Sequence, residues 1–460
     1  MGDVTDTTVA QTARVSSRDP LTRGPILPTL ISFAAPNAIA LCSSAVITIC
    51  ETAYVGLLGV SALAGVTLVF PITMLTQMMS GGAMGGAVAG AISRAIGSGD
   101  NQRARELAFS AFVIGGAAGV FFACLIWIVG PSAYRLLGGA GESLEAAIVF
   151  SNVIALAVVF IWLTNTMASI ARGFGAMSTP AYVLLGAGLV QIGLGGGLAF
   201  GFGPLPQLGL TGVAVGQVAA FALSAIVLFV FLRTPGRRVP LHFDWHLLSR
   251  ARLAAILRPS ALAALSPIQS VLTVLILTAL IARFGVEALA GYGVGSRLEF
   301  LLIPVAFSIG IGAVPMVGAA IGAGDVTRAR RVAWTAATLG AAALALIAAI
   351  VIVSPDLWAT LLVSDGAVLE AARTYLRVGS LGFPFLGVSL CLYFASQGAG
   401  RIIGPVLAQT LRLGLTICGG FALVLNDAPL WTLFALSAAA MAAQGLATAA
   451  AVRWTRWGAV

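Results

Sequence analysis

Long apolar runs, separated by short polar connections, recur along almost the whole chain. Runs without a charged residue cover 109–131, 146–171, 177–232, 332–355 and 428–452. One helical membrane crossing takes about 20 apolar residues, whereas the strands of a membrane barrel would alternate apolar and polar residues. The pattern therefore predicts an all-α integral membrane protein with twelve transmembrane helices.

Composition supports the membrane assignment. Of the 460 residues, 59% are hydrophobic and 9% are charged, so polar side chains cannot cover the surface of a chain this long in water. The five cysteines lie inside apolar spans, and we expect them to be small core residues without disulfide or metal roles. His242 and His246 favour an amphipathic surface segment over a metal site, and no metal or cofactor is expected.

Arginine placement predicts the orientation of the chain. All 25 basic residues are arginine, and they cluster before the first crossing, after the second, sixth and eighth crossings, and at the end of the chain. By the positive-inside rule, both termini lie in the cytoplasm and the number of crossings is even. We therefore expect a multi-pass protein of the cell inner (plasma) membrane. The net charge of +9 then needs no nucleic-acid partner.

An internal repeat divides the chain into two halves. The segment GSGDNQRARELAFSA, from Gly97, matches GAGDVTRARRVAWTA, from Gly322, and the same spacing carries ARGFGAMSTP, ending at Pro180, onto SQGAGRIIGP, ending at Pro405. Six crossings in each half give both halves the same orientation. The predicted organisation is a cytoplasmic tail (1–28), a six-helix bundle (29–232), a cytoplasmic linker (233–254) and a second, pseudo-symmetric six-helix bundle (255–460).

The repeated GxGD loop has a structural interpretation. Its glycines suit a left-handed turn at the end of one helix, and Asp100 suits the cap of the next helix. A phosphate-binding loop is the alternative, but GK[ST] and a preceding strand are both absent from the sequence.

Glu51, in the stretch TICETAYVG, lies near the end of the first apolar span. A charge at mid-membrane costs roughly 2.5 to 3.5 kcal/mol and marks a functional candidate. Asn37, Ser44 and Thr48 fall on the same helix face as Glu51, which predicts a polar stripe facing a cavity or the bundle interior. We interpret Glu51 as an ion-coupling site for a proton or a cation. The alternative is a neutral, structural acid that is hydrogen-bonded between helices.

Other polar residues within the spans extend the candidate cavity. Arg297 and Glu299 stand two residues apart and do not share a helix face, so we do not expect a simple mutual ion pair. Bracing between the halves and direct transport chemistry both remain open for them. The uncharged candidates are Gln77, Asn165, Gln191 and Gln269.

The chain resembles multidrug and toxic compound extrusion (MATE) transporters from Leu30 to about Arg456. The resemblance rests on LISFAAPNAIALCSSAVITICETAYVGLLG, on the GSGD and GAGD loops, and on ARGFGAMSTP, GLAFGFGPLPQLGLTGVAVGQ and GYGVGSRLEFLLIP. It implies a V-shaped pair of six-helix bundles that exports small organic, often cationic, compounds against inward H⁺ or Na⁺. We expect such a transporter to work as a monomer by rocker-type alternating access.

The resemblance also maps the coupling aspartate of the family onto Glu51. The chain departs from the family in the fifth helix, where Gln191 and Gly195 replace an Asn and an Asp, and the seventh helix contains no acid. One glutamate among neutral groups can bind a proton without the several oxygens that a metal cation requires. The sequence therefore favours H⁺ over Na⁺.

Two other functions are alternatives to a drug exporter. A flippase for lipid-linked oligosaccharides, of the same broad superfamily, would favour an arginine-rich central cavity for a pyrophosphate group. A membrane enzyme would need a DDxxD, HExxH or Ser/His arrangement, and none is present in the sequence. We therefore expect a transporter and no enzyme.

Overall fold

The computed structural model describes residues 21–234, 244, 246 and 248–458. Within these residues no strand occurs, and twelve helices are long and apolar enough to cross a membrane, which confirms the predicted fold class. In chain order they are α1 (Ile26–Leu58), α2 (Val60–Gly97), α3 (Asn101–Leu136), α4 (Gly141–Gly173), α5 (Ser178–Phe200), α6 (Leu210–Arg233), α7 (Arg250–Phe284), α8 (Val286–Gly322), α9 (Val326–Val353), α10 (Gly366–Ala399), α11 (Ile403–Leu425) and α12 (Leu430–Trp454).

Two of the helices are irregular. In α2, the glycine-rich segment Met78–Met84 forms a π-helix, a form that often marks functional sites. In α10, the α-helices Gly366–Val378 and Phe383–Ala399 are joined by a 3-10 turn at Gly379–Gly382. Most of the tail predicted at 1–28 and half of the linker predicted at 233–254, including His242, lie outside the described residues.

The sequence repeat recurs as a structural repeat. Gly65 of α2 lies against α4, where an added Cβ would be 2.8 Å from the backbone N of Ala147, and Gly291 of α8 lies against α10, where it would be 2.8 Å from the backbone N of Ala372. Small residues thus bring two helices into close contact at matching places in each half. We call α1–α6 the N-half and α7–α12 the C-half.

The GxGD loops are helix caps in both halves. Gly99 and Gly324 each have a φ of +80°, in the left-handed region where glycine is favoured. The side chains of Asp100 and Asp325 each accept a 2.8 Å hydrogen bond from a backbone N–H, at Arg103 and Arg328. The capping interpretation is therefore confirmed.

The two halves meet at one end of the molecule, which we call the arginine end because it contains the loops after α2 and α8. Gly97 of α2 packs onto the backbone of Ala319 in α8, and an added Cβ at Gly90 would lie 2.6 Å from the carbonyl oxygen of Gln397 in α10. Arg94 donates hydrogen bonds to the carbonyl oxygens of Gln397 (3.1 Å) and Gly398 (2.6 Å). Arg94 thus joins the halves from the last turn of α2.

Both ends of the described chain also lie at the arginine end. Arg328 donates a 2.7 Å hydrogen bond to the carbonyl oxygen of Gly24, and Arg330 donates one of 2.8 Å to that of Thr455. At the opposite end, within the part of the chain that the structure describes, Val60–Gln77 and Gly366–Val378 make no extended contact with the other half. The halves are therefore apart there, and we call the gap between these two segments the cleft.

Candidate functional site

Glu51 lies inside the N-half, between α1 and α5. Its Oε1 accepts a 2.6 Å hydrogen bond from Nε2 of Gln191, whose side chain is buried. Glu51 itself is half-buried, about seven residues before the end of α1. The structure thus brings together two of the residues that the sequence singled out, from helices far apart in the chain. A carboxylate with a single amide donor can still take up a proton at its other oxygen.

Tyr54 completes this site and was missed at the sequence level. Its hydroxyl is buried without a hydrogen-bond partner in the described structure, and an added Cβ at Gly195 would lie 3.4 Å from it. The phenol thus occupies space that a side chain at Gly195 would need. The signal was present in the sequence, because Tyr54 follows Glu51 by three residues and shares its helix face.

The polar stripe below Glu51 bonds mainly to its own helix. Asn37 is buried and donates to the carbonyl oxygen of Phe33 (2.9 Å). Ser44 and Thr48 are exposed and donate to the carbonyl oxygens of Leu41 (2.6 Å) and Ser44 (3.0 Å). The hydroxyl oxygens of Ser44 and Thr48 can still accept hydrogen bonds. None of the hydrogen bonds described for these three side chains reaches Glu51.

The remaining N-half candidates lie at the π-helix of α2. Asn165 of α4 donates a 2.8 Å hydrogen bond to the hydroxyl of Ser80, so it ties the π-helix to the bundle. Gln77, just before the π-helix, is exposed. No described hydrogen bond joins Asn165 or Gln77 to Glu51.

The C-half contains its own buried charge pair. Glu299 of α8 accepts a 3.1 Å hydrogen bond from the hydroxyl of Tyr375 and lies 3.5 Å from Nη2 of Arg412 in α11. The exposed side-chain fractions of Arg412 and Glu299 are only 8% and 12%. Arg412 was missed at the sequence level, although it is the one arginine within the apolar run 403–425.

Glutamines extend the charge pair toward α7. Arg412 donates a 3.4 Å hydrogen bond to Gln444 of α12, Gln444 donates to Gln409, and Gln409 donates a 3.1 Å bond to the hydroxyl of Ser270. Gln269 donates separately to the hydroxyl of Thr410 (2.8 Å). This network crosses the C-half without reaching Glu51.

Arg297 stands apart from Glu299, as its spacing predicted. Its side chain is exposed, whereas Glu299 turns into the C-half. Among the described residues, no group of three or more His, Cys, Asp or Glu side chains could hold a metal ion. The expectation of core cysteines holds for Cys391, which is buried, and was wrong for Cys42, Cys124 and Cys418, which are exposed on their helices.

Comparison with known proteins identifies relatives over most of the chain. Residues 36–195 and 262–422 match the MatE family model. A Shewanella oneidensis protein named FAD transporter is 25% identical over 69% of this chain and 70% of its own length. The multidrug export protein MepA of Staphylococcus aureus is 23% identical over 84% of this chain and 85% of its own length.

Solved structures show the same fold. The Vibrio cholerae MATE transporter VcmN superimposes with a TM-score of 0.85 at 22% identity, covering 93% of this chain and 96% of that one. A MOP superfamily transporter from Pyrococcus furiosus, described as having a binding pocket of reversed polarity, gives 0.85 at 19% identity and covers 95% and 96%. With matches in both halves, the chain belongs to the MATE family of membrane transporters.

Proposed function

We propose that this protein exports small organic compounds in exchange for protons, with Glu51 as the coupling acid. The observation that carries the proposal is the Glu51–Gln191 hydrogen bond, which places a carboxylate between two helices of the N-half. Two relatives bear names that denote drug export or resistance, which supports an organic cargo. The resemblance to MATE transporters implies a cationic cargo, which is one class of the organic compounds in this proposal.

Protons suit this site better than sodium. The described hydrogen bond to Glu51 comes from one amide, and Tyr54 follows one helix turn further along α1. Sodium, like other hard cations, needs several oxygen ligands at once, whereas a proton needs only one carboxylate oxygen.

The proposed cycle begins with the cleft open at the end opposite the arginine end. A proton reaches Glu51, neutralises it and changes its bond to Gln191, so α1 can repack against α5. Cargo leaves, and the two halves rock about their contact so that the arginine end opens. The proton then departs there. This scheme has two moving bodies, residues 29–232 and 255–460, which are joined by 233–254. A single chain suffices for the cycle. The protein lies in the inner membrane of the cell, and both of its termini face the cytoplasm.

The flippase alternative gains no support from the described arginines. It required an arginine-rich central cavity, but Arg412 is paired inside the C-half and Arg94 bonds at the arginine end. A single exposed arginine on α8, Arg297, does not match that requirement.

The test is transport by purified protein in liposomes. With a pH gradient imposed, we expect wild-type protein to move a fluorescent organic dye and to exchange it for protons, as read by a pH-sensitive dye in the lumen. Glu51→Gln should abolish this exchange, because the amide cannot take up and release a proton, while Glu51→Asp should retain part of it.

Glu145→Gln is the matched control, since Glu145 is exposed near the start of α4. It should transport like wild type. Proton-coupled exchange that survives in Glu51→Gln, or that follows a Na⁺ gradient with no pH gradient, would contradict the proposal.

A further inference from the structure

The register of α8 places Arg297 on the helix face that meets the N-half further along the chain. Two glycines further along α8 lie against the N-half. An added Cβ at Gly318 would be 3.1 Å from the carbonyl oxygen of Gly90, and one at Gly322 would be 2.9 Å from the backbone N of Ser98. At 100° per residue, Arg297 points within about 60° of Gly318 and about 20° of Gly322. One face of α8 thus touches the N-half at the arginine end. The same face carries Arg297 nearer the opposite end, where the halves are apart.

The opposite face of α8 belongs to the C-half. Gly295 packs against Tyr375, and Glu299 bonds to the same tyrosine. Both residues lie about 160° around the helix from Arg297. Glu299, the nearest acid in sequence, therefore turns away and is already paired with Arg412.

Arg297 has an exposed side chain, and no hydrogen bond or ion pair is found for it among the described residues. It lies about eleven residues, roughly 16 Å, into α8 from the opposite end, at membrane depth. Arginine at that depth is costly unless it meets water or an anion. Phe300 (44% exposed) and Leu301 (40% exposed) flank it on the same wall and supply apolar surface.

We propose that Arg297 is an anion-binding position in the cleft, and that the cargo is an organic anion with a carboxylate, phosphate or sulfonate group on an apolar body. The guanidinium would bind the anionic group through paired N–H donors, while Phe300 and Leu301 contact the apolar part. This inference rests on the proposed export function and replaces its cationic form.

With an anionic cargo, the cargo and the proton are coupled without competing for one group. Glu51 bonds to Gln191 inside the N-half, whereas Arg297 faces the cleft from the C-half. An anion and a proton therefore bind to different groups and do not compete for one carboxylate. Exchange then depends on the repacking of α1 on protonation.

Binding is tested first, without any gradient. Purified wild-type protein in detergent should raise the fluorescence anisotropy of 5-carboxyfluorescein, an organic anion, with an affinity at least tenfold higher than that for ethidium, an organic cation. Arg297→Gln should weaken carboxyfluorescein binding about tenfold or more, the usual scale for losing one charge-assisted hydrogen bond. Arg297→Lys should restore part of it, and Arg297→Glu should favour ethidium.

Arg258→Gln is the control for loss of an exposed helix arginine. Ile256, two residues before it, packs into the N-half core, so Arg258 lies on the other side of α7. This variant should bind both dyes like wild type. Thermal unfolding of every variant confirms that a loss of binding is not a loss of fold.

Transport then separates this inference from the proposed function. In proteoliposomes with a pH gradient, carboxyfluorescein export should fall in both Glu51→Gln and Arg297→Gln, but only Glu51→Gln should keep wild-type binding. Equal carboxyfluorescein binding by wild type and Arg297→Gln, or a preference of wild type for ethidium, would overturn the anion site. Wild-type binding without proton-coupled export would leave the anion site intact and contradict the export function.

Discussion

Glu51 and Glu299 are both acids within membrane-spanning helices, yet they have different partners. Glu51 has a neutral amide and an unpartnered tyrosine hydroxyl beside it, so its charge is not balanced by a cation. Glu299 has Arg412 and the hydroxyl of Tyr375. A group whose charge is balanced in place is suited to hold the structure, whereas an unbalanced acid is suited to change its charge during a cycle.

The charge pair in the C-half should stabilise the fold only as a pair. Glu299→Gln leaves Arg412 buried without a carboxylate, and we expect it to destabilise the protein by about 3 to 5 kcal/mol, the usual cost of removing one partner of a buried pair. Arg412→Met should cost a similar amount. The double variant should be more stable than either single variant, because no uncompensated charge remains.

Thermal unfolding in detergent, analysed as a double-mutant cycle, measures this coupling. The pair Glu142→Gln and Ser61→Ala, which removes an exposed 2.8 Å hydrogen bond, is the control and should show a small coupling energy. Additive losses at Glu299 and Arg412 would show that they do not act as a pair.

At the scale of elements, glycine decides how closely α2 and α8 approach each other. Gly97 packs onto the backbone of Ala319, and an added Cβ at Gly322 would lie 2.9 Å from the backbone N of Ser98. Backbone atoms cannot move aside as a flexible side chain can. Even one methyl group at this contact would hold the two halves apart at the arginine end.

Gly97→Ala should therefore weaken the closed state of the arginine end. We expect the transport rate to fall at least several-fold with little change in helix content. The reason is that the state with the arginine end closed and the cleft open becomes less populated. Gly193→Ala on α5 is the control, since an added Cβ there has nothing within 4 Å. Circular dichroism and liposome transport measure both, and wild-type transport by Gly97→Ala would refute this role for the contact.

At the scale of the whole molecule, closure at one end and separation at the other define a single conformational state. Contacts between the halves gather near the arginine end, where Leu30 and Ala34 of α1 also join the buried cluster around Met316 of α8. Rocking of two rigid bundles would exchange the open end for the closed end. The two ends should therefore move in opposite senses.

Paired spin labels can detect this exchange. Ser98→Cys with Ala323→Cys reports on the arginine end, and Leu57→Cys with Val286→Cys reports on the opposite end; all four sites are exposed. After removal of the five native cysteines, we expect the first distance to lengthen and the second to shorten when the pH is changed across a transport cycle. Labels within the C-half, at Val286→Cys and Leu425→Cys, lie on exposed positions away from α1 and should keep their distance, and a change there would contradict rigid-body rocking.

The sequence by itself determined the helices, their number, the repeat and the glycine caps, because apolar length, duplicated motifs and left-handed turns are properties of short segments. It also placed Glu51 on α1 and separated Arg297 from Glu299, since spacing along one helix fixes both. It did not find Tyr54 in the space beside Gly195, or Arg412 beside Glu299.

Only the tertiary structure decided those contacts, the donation from Gln191 to Glu51, and which end of the cleft is closed. Each depends on how a helix is rotated against a partner that is distant in the chain. That rotation is set by packing over the whole interface, and no local pattern of residues encodes it.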